Sequence, residues 1–251
     1  MRLHFLTLFP GMFDGPFRHS ILSRAAQSGL VEFKIHDIRD FTYDRHRMAD
    51  DYQFGGGGGM VMKAEPIFAA VEDVLSELTQ LEMAKARVIL TSPQGKVLDQ
   101  KMAQELALQK HLIIICGRYE GVDERVRERL VTDDVSIGDY VLTGGELPAM
   151  VLADAVARLV PGVVGSESSV QGDSITTGIL QHPVYTRPAS FGGWEVPEVL
   201  LTGNHREIDR WRRRMALERT LDRRPDLLNQ ALLSKEDLEH LETIGYIPPG
   251  V

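Results

Sequence analysis

The sequence predicts an α/β fold: a parallel-sheet domain, an irregular connector and a small helical domain. Three observations lead there. Through the first two thirds of the chain, short apolar β-type runs alternate with amphipathic helical patterns, as in a parallel sheet covered on both faces. After Pro161 the periodicity stops, and Gly, Ser and Thr dominate residues 162–178, the composition of a linker or mobile loop. From about residue 203 the pattern is helical. The expected organisation is an α/β domain over 1–161, a flexible connector over 162–178 and a mainly helical domain over 179–251.

Each element has its own signal. RLHFLTLF (2–9) reads as a strand, PFRHSILSRAAQSG as an amphipathic helix that stops at Gly29, and VEFKIHDI (31–38) as a second strand. A polar stretch leads to a run of glycines. After it, AEPIFAAVEDVLSELTQL forms a helix with Pro66 in its first turn, where a missing N–H removes no helical hydrogen bond. ARVILTS (86–92) is a strand, DQKMAQELALQK a helix, LIIICG (112–117) a buried strand and ELPAMVLADAVARLV (146–160) a long helix. Further on, HREIDRWRRRMALERTL brings Ile208, Trp211, Met215 and Leu217 near one face, and SKEDLEHLETIG opens on Ser234 as an N-cap with Asp237 three residues on.

A chain of 251 residues, 43% hydrophobic and 25% charged, supports one large core or two smaller ones. Its longest aliphatic run, Leu112 to Ile115, falls far short of the roughly 20 apolar residues that span a bilayer. No charged segment followed by an apolar one opens the chain, so a cytoplasmic protein without membrane anchor is expected. Cys116 is the only cysteine, which excludes an intrachain disulfide and a Cys-rich metal site. At the end of LIIIC it reads as a buried, inert thiol rather than a nucleophile. The net charge of −8 argues on its face against a polyanionic partner, but phosphate contacts are local and screened over about 10 Å. Eight arginines against five acids between His205 and Leu228 make a basic island on this acidic chain. Within it Arg206, Arg210, Arg213 and Arg214 fall on neighbouring helical turns, as on a salt-bridged, solvated helix face.

The glycine run, Gly55 to Gly59 in YQFGGGGGMVMK, lies inside the α/β domain and so is not an interdomain linker. It lacks the form G-x-x-x-x-G-K-[ST], because Met62 precedes Lys63, and no G-x-G-x-x-G follows the first strand. A loop covering a ligand, or a merely flexible loop, remains. Three other glycine-bearing turns end strands: LTSPQG (90–95), CGRYEGVDERV (116–126) and SIGDYVLTGGELPAM (136–150). Ligands settle at the carboxyl ends of strands in open α/β sheets, so turns of this kind lying together would form one pocket.

These motifs, with LFPGMF, FGGGGGM, GDSI, HPVYTRP, VPEVLLTGNH and RRPDLL in the same order, resemble the bacterial tRNA (guanine-N1)-methyltransferases of the knotted SPOUT superfamily. The resemblance runs over about residues 1–245. It implies a deep trefoil knot at the C-terminal end of the sheet domain, a topology that is very rare and that no periodicity here reveals. It also implies S-adenosylmethionine held against Leu90, Thr91, Ser92 and Pro93, against Gly117 and Glu120, and against Ile137, Gly138, Asp139, Tyr140, Val141, Leu142, Gly144 and Gly145.

The substrate implied is the guanosine just 3′ of the anticodon, methylated at N1. That nitrogen carries a proton in neutral guanine, so the reaction needs a base and a cation for the charge shared with O6. Asp173 matches the family's general base and Arg158 its arginine at O6. By residue pattern alone they read as a solvated loop acid and a helix-surface cation. The resemblance places Gly57, Gly58, Gly59 and Met60 near the flipped guanosine, with Met60 and Lys63 flanking the substrate entrance. It implies contact of Arg206, Arg210, Arg213 and Arg214 with RNA phosphates. It further implies Mg²⁺, with no residue assigned to it, and a homodimer whose active sites are shared between subunits. A knotted methyltransferase with another target nucleotide and an RNA-binding protein without chemistry are the competing readings. A nicotinamide-dependent enzyme is disfavoured by the missing dinucleotide fingerprint.

Overall fold

The computed structural model describes residues 1–165 and 173–247. The chain divides after Gly165 into two compact units. Of the 162–178 connector, residues 166–172 lie outside the described residues.

The first unit is built on strands β1 (Arg2–Thr7), β2 (Glu32–Asp37), β5 (Arg87–Val97), β6 (His111–Cys116) and β7 (Asp133–Ser136). They form one parallel sheet in the order β2-β1-β6-β5-β7. Side chains alternate across it, as the period of two requires. Leu3 and Phe5 of β1, Ile89 of β5, and Leu112 and Ile114 of β6 face one core with helices α1 (Ser20–Gln27), α4 (Gln100–Ala107) and α6 (Glu146–Ala157). Leu6, Leu90, Ile113 and Ile115 face the other, against α2 (Ala64–Ser76) and Val126 of α5 (Glu124–Arg129). Leu152 and Val156 of α6 are fully buried in the first core, whereas Leu147 and Val151 are about half exposed, at 50% and 48%.

Several elements differ from the sequence reading. The helix expected over 64–81 ends at Ser76, because Thr79 and Glu82 form a reciprocal capping box that starts the short helix α3 (Gln80–Met83). Strand β5 runs on to Val97: its pairing with β7 breaks after Thr91 and resumes at Lys96, so residues 92–95 bulge out of the sheet. Long helix α6 stops at Ala157. A separate hairpin joins β3 (Asp50–Tyr52) to β4 (Met60–Met62).

The second unit holds helices α7 (His205–Arg223), α8 (Pro225–Leu228) and α9 (Lys235–Thr243) around Ile179, Ala216, Leu217, Leu228 and Leu241. Ser234 caps α9 in a capping box with Asp237. Trp211 is half-buried, with its ring 6.4 Å from that of Tyr185. Residues expected to be helical or irregular also supply a small hairpin, β8 (Ser190–Phe191) with β9 (Trp194–Glu195), because Gly192 and Gly193 adopt the positive φ of 59° and 86° that a two-residue turn needs. No helix among the described residues is long and apolar enough to cross a membrane.

Candidate functional site

The carboxyl ends of β5, β6 and β7 are neighbours at one side of the sheet, and the turns that leave them enclose a cavity of about 350 Å³. The bulge after β5 contributes Ser92, Pro93 and Gln94, beside Leu90 and Thr91. The loop after β6 contributes residues from Gly117 to Val122, including Glu120. The turn after β7 contributes Ile137, Gly138, Tyr140, Val141, Leu142, Gly144 and Gly145. Of the residues implied for the methyl donor, Asp139 alone does not line the cavity.

Backbone contacts hold the three turns together. Gly145 N donates to Gly117 O at 2.8 Å, and the Thr91 hydroxyl lies 3.1 Å from Ile115 O and 3.2 Å from Gly145 O, so its one proton serves two carbonyls. A Cβ at Gly145 would sit 2.2 Å from Thr91 Oγ1 and 2.7 Å from Gly117 N. Glycine is therefore required there by close approach of backbone. Such a cradle suits a ligand with an adenine ring, whose donors and acceptors match backbone groups. Cys116, beneath it, is buried; burial first, and then the nearby Glu146 charge, pushes its thiol well above the ordinary range, which leaves it inert.

The glycine run closes the β3–β4 hairpin beside this cavity. Strand β4 pairs with the loop after β6: Glu120 N donates to Met60 O at 3.0 Å, Met62 N to Gly121 O at 3.0 Å, and Asp123 N to Met62 O at 2.9 Å. Gly55, Gly56, Gly57 and Gly59 have φ of 87°, 79°, 122° and 89°, conformations that L side chains rarely adopt. A Cβ on Gly59 would lie 2.5 Å from Glu120 Oε1, so the run and the cavity wall are in contact range.

Arg158 caps α6 in the first unit, half-buried, with its amide on Asp154 O at 3.3 Å; Asp173 is half-buried in the second unit. The arginines of α7 are not equivalent. Arg213 forks onto Asp237 at 3.0 and 2.9 Å and reaches Leu232 O at 3.3 Å. Burial works to raise the Asp237 carboxyl; Arg213 and the amide and hydroxyl of Ser234 outweigh it and hold it below the usual range. Arg210 pairs with Glu207 at 3.1 Å and Glu236 at 3.3 Å. Arg206 and Arg214 are exposed and have no hydrogen-bonded or ion-paired partner among the described residues. Among the described residues there is no cluster of three His, Cys, Asp or Glu that could hold a metal ion.

Sequence reasoning passed over Arg118, Glu146, Gln94 and Arg127, which line or adjoin the cavity. For Arg118 and Glu146 the available signal was a charged side chain beside glycines, in CGRYEG and LTGGELP.

Comparison with known proteins supplies the family. The family model described as tRNA (Guanine-1)-methyltransferase TrmD matches residues 1–230. The tRNA (guanine-N(1)-)-methyltransferase of Geotalea uraniireducens is 58% identical over 244 residues, 97% of each chain. That of Moorella thermoacetica is 58% identical over 245 residues, 98% of this chain and 97% of its own. That of Halalkalibacterium halodurans is 53% identical over 97% of this chain and 98% of its own.

Proposed function

We infer that this chain, which belongs to the tRNA (guanine-1)-methyltransferase family, transfers a methyl group from S-adenosylmethionine to N1 of guanosine 37 of tRNA. The observation that carries this is the meeting of three glycine-bearing turns around one cavity, in a chain matched by the family over residues 1–230. S-adenosylmethionine, when bound, supplies an electrophilic methyl group on a sulfonium. The N–C bond forms as the C–S bond breaks, and the N1 proton leaves.

The finer assignments are part of the same proposal. Asp173 takes the N1 proton and Arg158 steadies the charge that spreads to O6. An aspartate is a weak base for so tightly bound a proton, with a reference pKa of about 3.9; docking energy from the large tRNA completes the site and excludes water around it. The cradle at Thr91, Gly117 and Gly145 holds the donor, and the hairpin loop at Gly57, Gly58, Gly59 and Met60 borders the guanosine. The sheet unit has the knotted topology of its superfamily, and the second unit binds tRNA through α7, where Arg206 and Arg214, without a partner among the described residues, favour phosphate contact. The enzyme is a homodimer with shared sites, for which the exposed Leu147 and Val151 of α6 offer apolar area. No step is assigned to Mg²⁺, since the described residues present no ligand cluster for it.

The test is transfer from labelled S-adenosylmethionine to tRNA transcripts with G or A just 3′ of the anticodon, with the product base identified by mass spectrometry. Label in 1-methylguanosine from the G transcript alone is expected. Label at another nucleotide, or none despite cofactor binding, refutes the assignment.

A further inference from the structure

Among the described residues, one carboxylate with no part in the reaction above is wholly buried: Glu146, 0% exposed, at the first residue of α6. Its Oε1 accepts from the Thr7 hydroxyl at 2.9 Å and its Oε2 from Arg118 Nε at 3.0 Å. Arg118 extends the network, donating from Nη1 to Thr143 O at 3.0 Å and from Nη2 to Met12 Sδ at 3.4 Å. Its guanidinium carbon lies 4.4 Å from the centre of the Phe9 ring, and the Phe9 amide donates to Thr7 Oγ1 at 2.9 Å. Three segments distant in sequence are joined: the LFPGMF turn after β1, the cavity loop after β6 and the cavity turn before α6.

Gly144 is explained by the same contact. A Cβ there would meet Arg118 Nε at 2.3 Å and Glu146 Oε2 at 2.6 Å, so glycine leaves the room the ion pair occupies. Apolar residues of equal volume often replace buried ion pairs without loss, so such a pair is weak evidence of a purely stabilising role. A forked guanidinium supplies direction instead: its donors fix one carboxylate and one carbonyl in a plane. A negative charge in the first turn of α6 is also favoured by the helix dipole.

We propose that Glu146 is a positioning residue for the methyl donor: through Arg118 it sets the separation of the loop after β6 and the 143–145 turn, with the Phe9–Met12 turn packed over the outer end of the strut. The proposal rests on reading the cavity as the S-adenosylmethionine site.

Glu146→Gln keeps shape and hydrogen-bond capacity but removes the charge. In the full-length enzyme it raises KM and the calorimetric Kd for S-adenosylmethionine about 10-fold, with kcat and KM for tRNA within about twofold of wild type. Arg118→Met does the same, the double variant is no worse than either single one, and Thr7→Val, which removes one hydrogen bond, gives an intermediate shift. Phe17→Leu serves as a stability control, because Phe17 packs on Phe5, Phe13 and Phe33 away from the cavity; it lowers the melting temperature and leaves KM unchanged. An unchanged KM in Glu146→Gln, additive effects in the double variant, or a KM that follows melting temperature in the control as well, overturns the proposal. Should Glu146→Gln not fold, Thr7→Val decides by the same criteria. Hydrogen exchange on the wild type separates the two readings. If S-adenosylmethionine binds without slowing amides 117–121 and 137–145, the cavity assignment has failed; if they slow while the variants keep wild-type KM, only the strut has failed.

Discussion

At the scale of residues, chemistry is concentrated in a few side chains whose surroundings set their states. Asp173→Ala is expected to lower kcat by about 10² to 10⁴ while S-adenosylmethionine affinity stays at the wild-type value; equal loss of both in single-turnover and titration experiments would remove Asp173 from the proton transfer. His4 gives a second expectation, on stability. It is fully buried on β1, with Nδ1 3.2 Å from His36 Nε2, and burial first, with the charges of His36, Lys34 and His111 after it, lowers its pKa to about 4 against a weaker opposing pull from Glu77. His36 and His111 are lowered too, each by burial first. The unfolded chain therefore binds more protons below pH 6.5 than the folded one, so stability is complete above that pH and falls as pH drops from about 6.5 to 4. For His4 alone the loss reaches about 3 kcal/mol. Melting curves between pH 7 and 4 check it: His4→Phe should fall less steeply than wild type, and parallel curves would dismiss His4 as the source. The state of His4 was not legible in the sequence, because burial and neighbours lower its pKa and both are non-local.

At the scale of elements, the glycine run and helix α7 show how far pattern reaches. The run could be excluded as a linker from its place inside the α/β domain and as a phosphate loop from motif spacing, but its contact with the cavity arises from β4 pairing with the loop after β6, which no local signal encodes. Likewise a row of arginines announced a basic helix, and only the packing of α9 showed that Arg213 is held by Asp237 while Arg206 and Arg214 are not held by any described residue. Two outcomes follow from that division. Arg206→Ala and Arg214→Ala each weaken tRNA binding and reduce the slope of log Kd against log salt by about 0.7 to 0.9. Arg213→Ala instead lowers stability by about 1 to 2 kcal/mol, since it strands a largely buried carboxylate while Arg213 is itself partly solvent-screened. Filter binding across a salt series, paired with melting curves, distinguishes them; a salt slope lost equally in all three variants would contradict the sorting.

At the scale of the whole molecule, shared active sites make a prediction that separate sites do not. Heterodimers of one Asp173→Ala subunit and one Gly145→Val subunit should regain about half of wild-type activity, because one site then combines an intact cradle with the intact aspartate of the other subunit. Heterodimers as inactive as either parent would place both groups in one subunit. What the sequence by itself determined is local: the alternation of strands and helices, the cap at Ser234, Pro66 in the first turn of its helix, and glycine-bearing turns at strand ends, since periodicity and turn chemistry act over a few residues. The tertiary structure decided the order β2-β1-β6-β5-β7, which places the turns after β5, β6 and β7 around one cavity, and the joining of Thr7, Arg118 and Glu146 across as many as 139 positions of sequence. Pairing of distant strands fixes those neighbours through register and burial of both sheet faces, and a linear pattern carries no record of which strands lie side by side.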